Sequence, residues 1–401
     1  MKAEIIAVGS ELLLGQIVDT NSAFIAREFA AAGLDLYYKI TVGDNLARLE
    51  AAVRQALSRS QVIVTTGGIG PTADDITREA VAAATGRELV FSPDLMAQIE
   101  AFFAARRFKL SPSNRRQAFI PEGAIPVENP VGTAPAFIVP VGKACVITLP
   151  GVPREMQHLL TTRVLPYLLE RYGLAGAIKL RVLKTVGLGE SRIGESIADL
   201  MEKGKNPTVG TLAHLGQVDI RIAAKGTDAV DADRMIEPVE AEIRQRLGDI
   251  VFGVDEDTLE GQITTRLRAG GARVAVAELG SAGAVAERLA TGAAEGFAGG
   301  VILARPDEAR RLTGDADVTG SAGERAERLA EAVRKWSGVE IGLATVFEDV
   351  PDTTPPVTVV GIAVARGGRR VGREHRLGGD RPSLRIRTAT LALDLLRRSL
   401  S

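Results

Sequence analysis

Thr66-Gly67-Gly68-Ile69-Gly70-Pro71-Thr72-Ala73-Asp74-Asp75 lies between a β-branched run over residues 61–66 and a helical pattern over residues 77–85. A strand that runs into a glycine-rich turn and then a helix is the repeating unit of a parallel sheet covered by crossover helices. The sequence before it repeats the unit, with extended signatures over residues 4–8 and 36–42 and helical ones over 21–32 and 47–58. The spacing predicts an α/β, doubly wound domain over residues 1–172. Ligands of such sheets sit beyond the carboxyl ends of the strands. The unusual residues collect there: Gly9-Ser10-Glu11 after the first strand, Gly43-Asp44-Asn45 after the second and the glycine-rich stretch after the third.

Beyond this domain the pattern changes. Residues 173–254 read as a small α+β module: a strand over 179–186, a helix over 191–203, a hairpin turning at Leu215-Gly216, a helix over 231–247 kinked or restarted at Pro238, and a final short strand. Residues 254–258 suit a linker, and residues 255–401 resume α/β character with strands over 273–277, 300–304, 340–345 and 357–365. The proline-rich stretch 349–356 is expected to be an irregular loop.

At 401 residues and 45% hydrophobic composition, the chain can bury several cores. Forty-nine basic against fifty acidic residues, a net charge of -1, removes the footprint of a protein that mainly grips nucleic acid or an anionic membrane. The single cysteine, Cys145, excludes an intramolecular disulfide and sits in an apolar run suited to a buried strand. Met1-Lys2-Ala3-Glu4 has an acid where a signal peptide places its apolar core, and no run approaches the roughly 20 residues of a membrane span. A cytoplasmic protein with no membrane partner is expected. His214 reads as a surface or packing residue, with no second ligand near it in sequence.

Gly67, Gly68 and Gly70 let backbone amides approach a ligand, and the helix starting near Ile76 turns unpaired N–H groups toward the same place. This is a phosphate-binding geometry. Asp74 and Asp75 stand at the same helix start, where two carboxylates repel a bare phosphate. A divalent metal (Mg²⁺, Mn²⁺ or Co²⁺) between carboxylates and phosphate oxygens reconciles the two, with Asp44 as a further ligand from the facing strand end. The alternative is that Asp74 or Asp75 caps the helix.

Gly9-Ser10-Glu11-Leu12-Leu13, Asp19-Thr20-Asn21, Asp44-Asn45, the stretch from Thr66 to Thr77, Asn129-Pro130-Val131-Gly132-Thr133-Ala134-Pro135 and Leu149-Pro150-Gly151-Val152-Pro153-Arg154-Glu155-Met156 together resemble the amino-terminal domain of the CinA competence/damage-inducible family. Ala136 departs from the glycine usual there. The resemblance implies a fold related to the molybdopterin-binding MoaB and MogA domains, and metal-dependent hydrolysis of ADP-ribose to AMP and ribose 5-phosphate. It further implies that Asp44, Asp75 and Asp74 hold the metal, and that the amides of Gly67, Gly68 and Gly70 with the hydroxyls of Ser10, Thr72 and Thr133 hold phosphate oxygens. Glu11 or Asp19 is the candidate general base, Asp19 serving equally well as the cap of the helix near Asn21. Asn45 and Asn129 either recognise ribose and base edges or shape turns. The other reading is a binding or regulatory protein that holds a pterin or nucleotide without turnover. A homodimer is expected from the family.

The middle module, through Val186-Gly187-Leu188-Gly189-Glu190-Ser191 and Asn206-Pro207-Thr208, resembles the family's KH-type fold. Gly187-Leu188-Gly189 lacks the basic Gly-x-x-Gly clamp, so no strong nucleic-acid signature follows. Residues 255–401 resemble the family's carboxyl-terminal domain, found alone as nicotinamide mononucleotide (NMN) deamidase. There the family's Ala-Glu-Ser-Cys-Thr-Gly-Gly has become Ala277-Glu278-Leu279-Gly280-Ser281-Ala282-Gly283, placing Leu279 at the nucleophilic serine. Its tyrosine and lysine align with Arg305 and Arg310, and arginine stays protonated. Its Ala-Thr-Gly-x-Ala-Gly-Pro loop reads Ala344-Thr345-Val346-Phe347-Glu348-Asp349-Val350. A catalytically silent domain is expected, in which Arg381 and Arg385 remain candidates for an anion.

Overall fold

The computed structural model describes residues 1–174, 176–203, 206–314, 319–351, 353–354 and 356–400. By internal contacts the chain divides into two compact units, Met1–Lys179 with Ala224–Arg234, and Leu180–Ala223 with Met235–Ser401.

The first unit is built on strands β1 (Lys2–Val8), β2 (Asp35–Val42) and β3 (Val62–Thr66), a side pair β4 (Leu89–Phe91) and β5 (Phe119–Pro121), and then β6 (Ile125–Val127), β7 (Ala136–Val141) and β8 (Ala144–Leu149). The main sheet runs in the order β2-β1-β3-β8-β7-β6. Its first four strands are parallel, and β7 and β6 are antiparallel. The doubly wound expectation holds for the half that carries the glycine loop. The other half closes by a hairpin, because only two residues separate β7 from β8 and no crossover helix fits between them. β1 is buried from Ala3 to Val8 and β3 throughout, as strands covered on both faces must be. Ile5, Val62, Val64 and Ile147 face one layer of helices, Ile6, Ile63 and Val146 the other. Cys145 is buried in β8, and burial pushes its thiol pKa up.

The small module follows, with β9 (Ala177–Val186), β10 (Thr208–His214), β11 (Gln217–Gly226) and β12 (Val251–Val254) in the order β10-β11-β9-β12. Its hairpin turns at Leu215-Gly216. The helix Ala229–Leu247 does not restart at Pro238. Burial of Ala232, Ile236, Ile243 and Leu247 outweighs the roughly 3 kcal/mol that a mid-helix proline costs. His214 Nε2 is hydrogen-bonded to Asp219 Oδ2 (3.2 Å).

The carboxyl-terminal sheet contains β13 (Val274–Leu279), β14 (Phe297–Leu303), β15 (Ile341–Val350), β16 (Val357–Arg366) and β17 (Arg369–Gly378), ordered β14-β13-β15-β16-β17. β13 is parallel to β14 and β15, while β15, β16 and β17 are antiparallel. Two elements differ from the sequence reading. β15 continues as strand through Val350, paired in register with β16, where a loop was expected from residue 349. β17 was not anticipated at all, since six of its ten residues are charged or histidine on an edge strand that needs no apolar alternation.

Candidate functional site

β1 sends the chain first to β2 on one side and then to β3 on the other, so the sheet has its topological switch point at the carboxyl end of β1. A pocket of about 110 Å³ lies there, lined among others by Val8, Glu11, Asp19, Asn21, Thr66 and Gly151. Asn21 ties its walls together: Nδ2 donates to Thr66 Oγ1 (3.1 Å) and to Gly151 O (2.8 Å). The buried Asn21 Oδ1 has no hydrogen-bond partner among the described residues. Glu11 is exposed and folds back over Gly9, where a Cβ would stand 2.5 Å from its Oε1.

The glycine loop begins against β1. Gly67 has φ +104°, and a Cβ on it would meet Val8 O at 2.3 Å, so only glycine lets the loop pass this close. Its amide is not offered to a ligand, because Gly67 N donates to Leu149 O (3.0 Å). Gly70 N donates to Asp75 Oδ1 (2.7 Å), while Thr72 N (2.8 Å) and Thr72 Oγ1 (2.5 Å) donate to Asp75 Oδ2. The chain's own carboxylate therefore occupies the anion position of the loop. This corrects the expectation that Gly67, Gly70 and Thr72 contribute donors to phosphate; of the three glycines, Gly68 alone has no amide bond among the described residues. The loop's carbonyls are held from behind by two arginines the sequence reading passed over. Arg78, 2% exposed, donates to Ile69 O (2.5 Å) and Gly70 O (2.7 Å). Burial lowers its pKa to about 10. Arg116 donates to Thr72 O, to Asp75 O (3.1 Å) and to Glu79 Oε1 (2.9 Å).

The same geometry tests the metal. Both oxygens of Asp75 are engaged with the loop, and Asp44 Oδ2 accepts from Ser10 N (2.8 Å) while Asp44 N donates to Ser10 Oγ (3.2 Å). Asp74 is exposed, its carboxyl held below the usual range by hydrogen bonds from Thr72 and its own amide. Among the described residues no group of three or more His, Cys, Asp or Glu side chains could hold a metal ion. Asp44, Asp74 and Asp75 therefore do not fit the metal cage expected of them; Asp44 and Ser10 instead clamp the first two loops to each other.

Asp19 caps helix Thr20–Ala31, with Oδ1 accepting from Ser22 N (2.9 Å), and Oδ2 lies 3.2 Å from Lys39 Nζ. Burial raises its pKa, but the bonds from Ser22 and Lys39 outweigh burial and leave it below the ordinary value. The Asp19 carboxylate is thus taken up by the helix cap and by Lys39. Asn45 caps helix Leu46–Arg59 through Arg48 N (3.0 Å), so it shapes a turn. Asn129 is wholly buried: Nδ2 donates to Ala134 O (2.9 Å) and Glu155 Oε2 (2.6 Å), and Oδ1 accepts from Val131 N (3.2 Å). It organises the loop that carries the half-buried Thr133 and reads no ribose or base. Glu155 had no role assigned from sequence. Burial raises its pKa against the opposing bonds from Asn129 and Ala134, and a Cβ on Gly132 would fall 1.9 Å from its carboxyl carbon. An acid in the first turn of helix Pro153–Leu159, inside an already quoted motif, was the available signal.

The carboxyl-terminal sheet has a switch point of its own at β13, and it is filled. Glu278 is buried and accepts from Ala286 N (2.8 Å), Gly283 N (3.1 Å), Val285 N (3.3 Å) and Ser281 Oγ (2.7 Å). Ser281, also fully buried, shares a 2.6 Å hydrogen bond with Thr345 Oγ1. Leu279 is 5% exposed in the core. A Cβ on Gly280 would lie 2.4 Å from Phe347 Cβ, so Phe347 packs directly against the turn after β13. Arg305 is exposed beside Asp307, and Arg310 is exposed on helix Ala309–Thr313.

Comparisons with known proteins cover the whole chain. The family models described as probable molybdopterin binding domain, damage-inducible protein CinA KH domain and CinA C-terminal domain match residues 4–170, 180–253 and 256–400. A CinA-like protein of Kosmotoga olearia is 37% identical over 410 residues, covering 100% of this chain and 99% of its own. A putative competence-damage inducible protein of Moorella thermoacetica is 39% identical over 412 residues, covering 100% and 99%. A solved structure described as the protein CinA with unknown function, from Thermoplasma acidophilum, is 41% identical over 40% of this chain and 95% of its own, with a TM-score of 0.38.

Proposed function

The chain belongs to the CinA-like family of competence-damage inducible proteins, and from that premise we propose that its amino-terminal domain hydrolyses ADP-ribose to AMP and ribose 5-phosphate. The observation that carries this reading is the pocket between the ends of β1 and β3, whose lining includes Glu11 and Asn21, with Asn21 Oδ1 buried and unpartnered among the described residues. A space of about 110 Å³ holds one phosphoryl group or the ribose, so the rest of the substrate lies across the open loop edge. Glu11 takes a proton from water as the water oxygen bonds to phosphorus. The P–O bond of the anhydride breaks, and its electron pair leaves on the departing phosphate. Gly68 N and the hydroxyls of Ser10 and Thr133 are the donors this reading assigns to phosphate oxygens. Asp44, Asp75, Arg78 and Arg116 act by holding the loops in place. Asp44, Asp74 and Asp75 do not fit a resident metal, so no step here runs through one; in this reading Mg²⁺, Mn²⁺ or Co²⁺ would enter with the substrate and supply charge neutralisation.

Ligand holding without turnover is favoured by one observation, the full engagement of Asp75 by its own loop. The two readings separate when the full chain is given ADP-ribose with each metal and without: hydrolysis yields AMP and ribose 5-phosphate in equal amounts, and binding alone yields neither. The same proposal holds the carboxyl-terminal domain inactive on NMN, Ser281 being sealed from solvent. It also takes the protein as a homodimer, with light scattering expected to give twice the chain mass.

A further inference from the structure

A second cavity, in the carboxyl-terminal unit, has a chemistry that neither of the activities above uses. Along β17 the residues Arg369, Val371, Arg373 and His375 fall on one face by the period of two. Val371 pairs in register with Val364 of β16, which extends the same wall. Helix Arg381–Ser399 presents Leu391, Asp394, Leu395 and Arg398, spaced as one stripe. Between strand and helix lies a space of about 790 Å³, within the size range of nucleotide and cofactor sites.

Four guanidinium groups line it, from Arg366, Arg369, Arg373 and Arg398. The one carboxylate in the lining is Asp394, already bound by Arg397 (2.7 Å) and Arg398 (2.8 Å). Arg366 reaches only the carbonyl of Ser399 (3.1 Å), and Arg373 that of Gly372 (3.4 Å). Among the described residues neither they nor Arg369 has a carboxylate partner. Like charges gathered around a cavity raise its potential and favour a multiply charged anion, and planar guanidinium groups match phosphate oxygens in pairs. Val364, Val371, Leu391 and Leu395 supply apolar surface in the same lining, beside these arginines on the strands and the helix, and suit a flat ring.

We propose that this groove binds a nucleoside phosphate with two or more phosphate groups, the phosphates on Arg366, Arg369, Arg373 and Arg398 and the base against the Val364–Leu391 wall. His375 lines the same cavity. Burial, and then the charge of Arg373, lower its pKa, so near neutral pH it offers one donor and one acceptor to a sugar or base.

The test uses the full chain with three probes, ADP, inorganic pyrophosphate and adenosine. Photolabelling with 8-azido-ADP, followed by peptide mapping, is expected to mark residues 364–375 and 391–398. Calorimetry is expected to give tighter binding of ADP than of pyrophosphate or adenosine. The double substitution R369E/R373E should weaken ADP at that site by about tenfold or more, R373Q by less, with ADP-ribose hydrolysis unchanged. Both arginines are exposed, so an unchanged melting temperature should accompany the loss. Labelling elsewhere only, equal affinity in R369E/R373E, or pyrophosphate binding as tightly as ADP would overturn the assignment. So would a single-stranded oligonucleotide that binds this face while ADP does not.

Discussion

Two mixed sheets in this chain each have a switch point among their parallel strands, and at each a turn following one of those strands is closed by an acid from the chain itself. At the first, Asp75 ties Gly70 and Thr72, but a pocket lined by Glu11, Asp19 and Asn21 stays open at the end of β1. At the second, Glu278 ties Gly283, Val285 and Ala286, while Ser281, Thr345 and Phe347 close over the place where a ligand would enter. Backbone amides attract an anion in both cases. What separates a site from a plug is whether the neighbouring side chains leave room after the internal anion is seated. At the second, β15 runs on as regular strand through Val346 and Asp349, paired in register with β16.

The largest effect is expected at the plug. Glu278→Ala leaves three amides and a hydroxyl without their buried acceptor, at about 3–5 kcal/mol in all. Chemical denaturation should show the loss, and a change below about 1 kcal/mol would mean that water reaches Glu278 and that the two turns differ less than described. Next comes the open pocket, where Glu11→Gln should lower ADP-ribose hydrolysis by about a hundredfold with stability unchanged. Equal loss from Asp19→Asn with none from Glu11→Gln would move the base to the helix cap. Asp75→Asn should then cost about 1–2 kcal/mol in stability and lower the hydrolysis rate, because an amide has one acceptor oxygen where the carboxylate supplies two. Were hydrolysis lost and then restored by excess metal, Asp75 would be a ligand after all.

The smallest effect concerns Ala282, which holds φ +53° where the family has glycine. Left-handed backbone costs an alanine about 1 kcal/mol, so Ala282→Gly should raise stability by about that much in thermal unfolding. No gain would mean that the turn has relaxed around its alanine.

The strand-loop-helix order around residues 61–85 was legible because β-branched runs, clustered glycines and helical spacing all point the same way. Asp75 was legible as important but not as to its partner: whether an acid faces a ligand or its own loop depends on the loop's path, which sequence spacing does not encode. Asn45 and Asn129 follow the same rule, since each spends its side chain on local backbone. Arg78 and Arg116 escaped notice because long side chains fold back onto carbonyls that are not their sequence neighbours. The edge strand β17 was hidden by its charges, and the groove behind it with them.

One pair of assays on a single preparation reaches the central contrast. The chain is given ADP-ribose with Mg²⁺, Mn²⁺ or Co²⁺ in one vessel and NMN in the other. AMP with equimolar ribose 5-phosphate should accumulate in the first, and ammonia should stay at background in the second. Absence of AMP with every metal, or ammonia release that disappears in Ser281→Ala, would contradict the account.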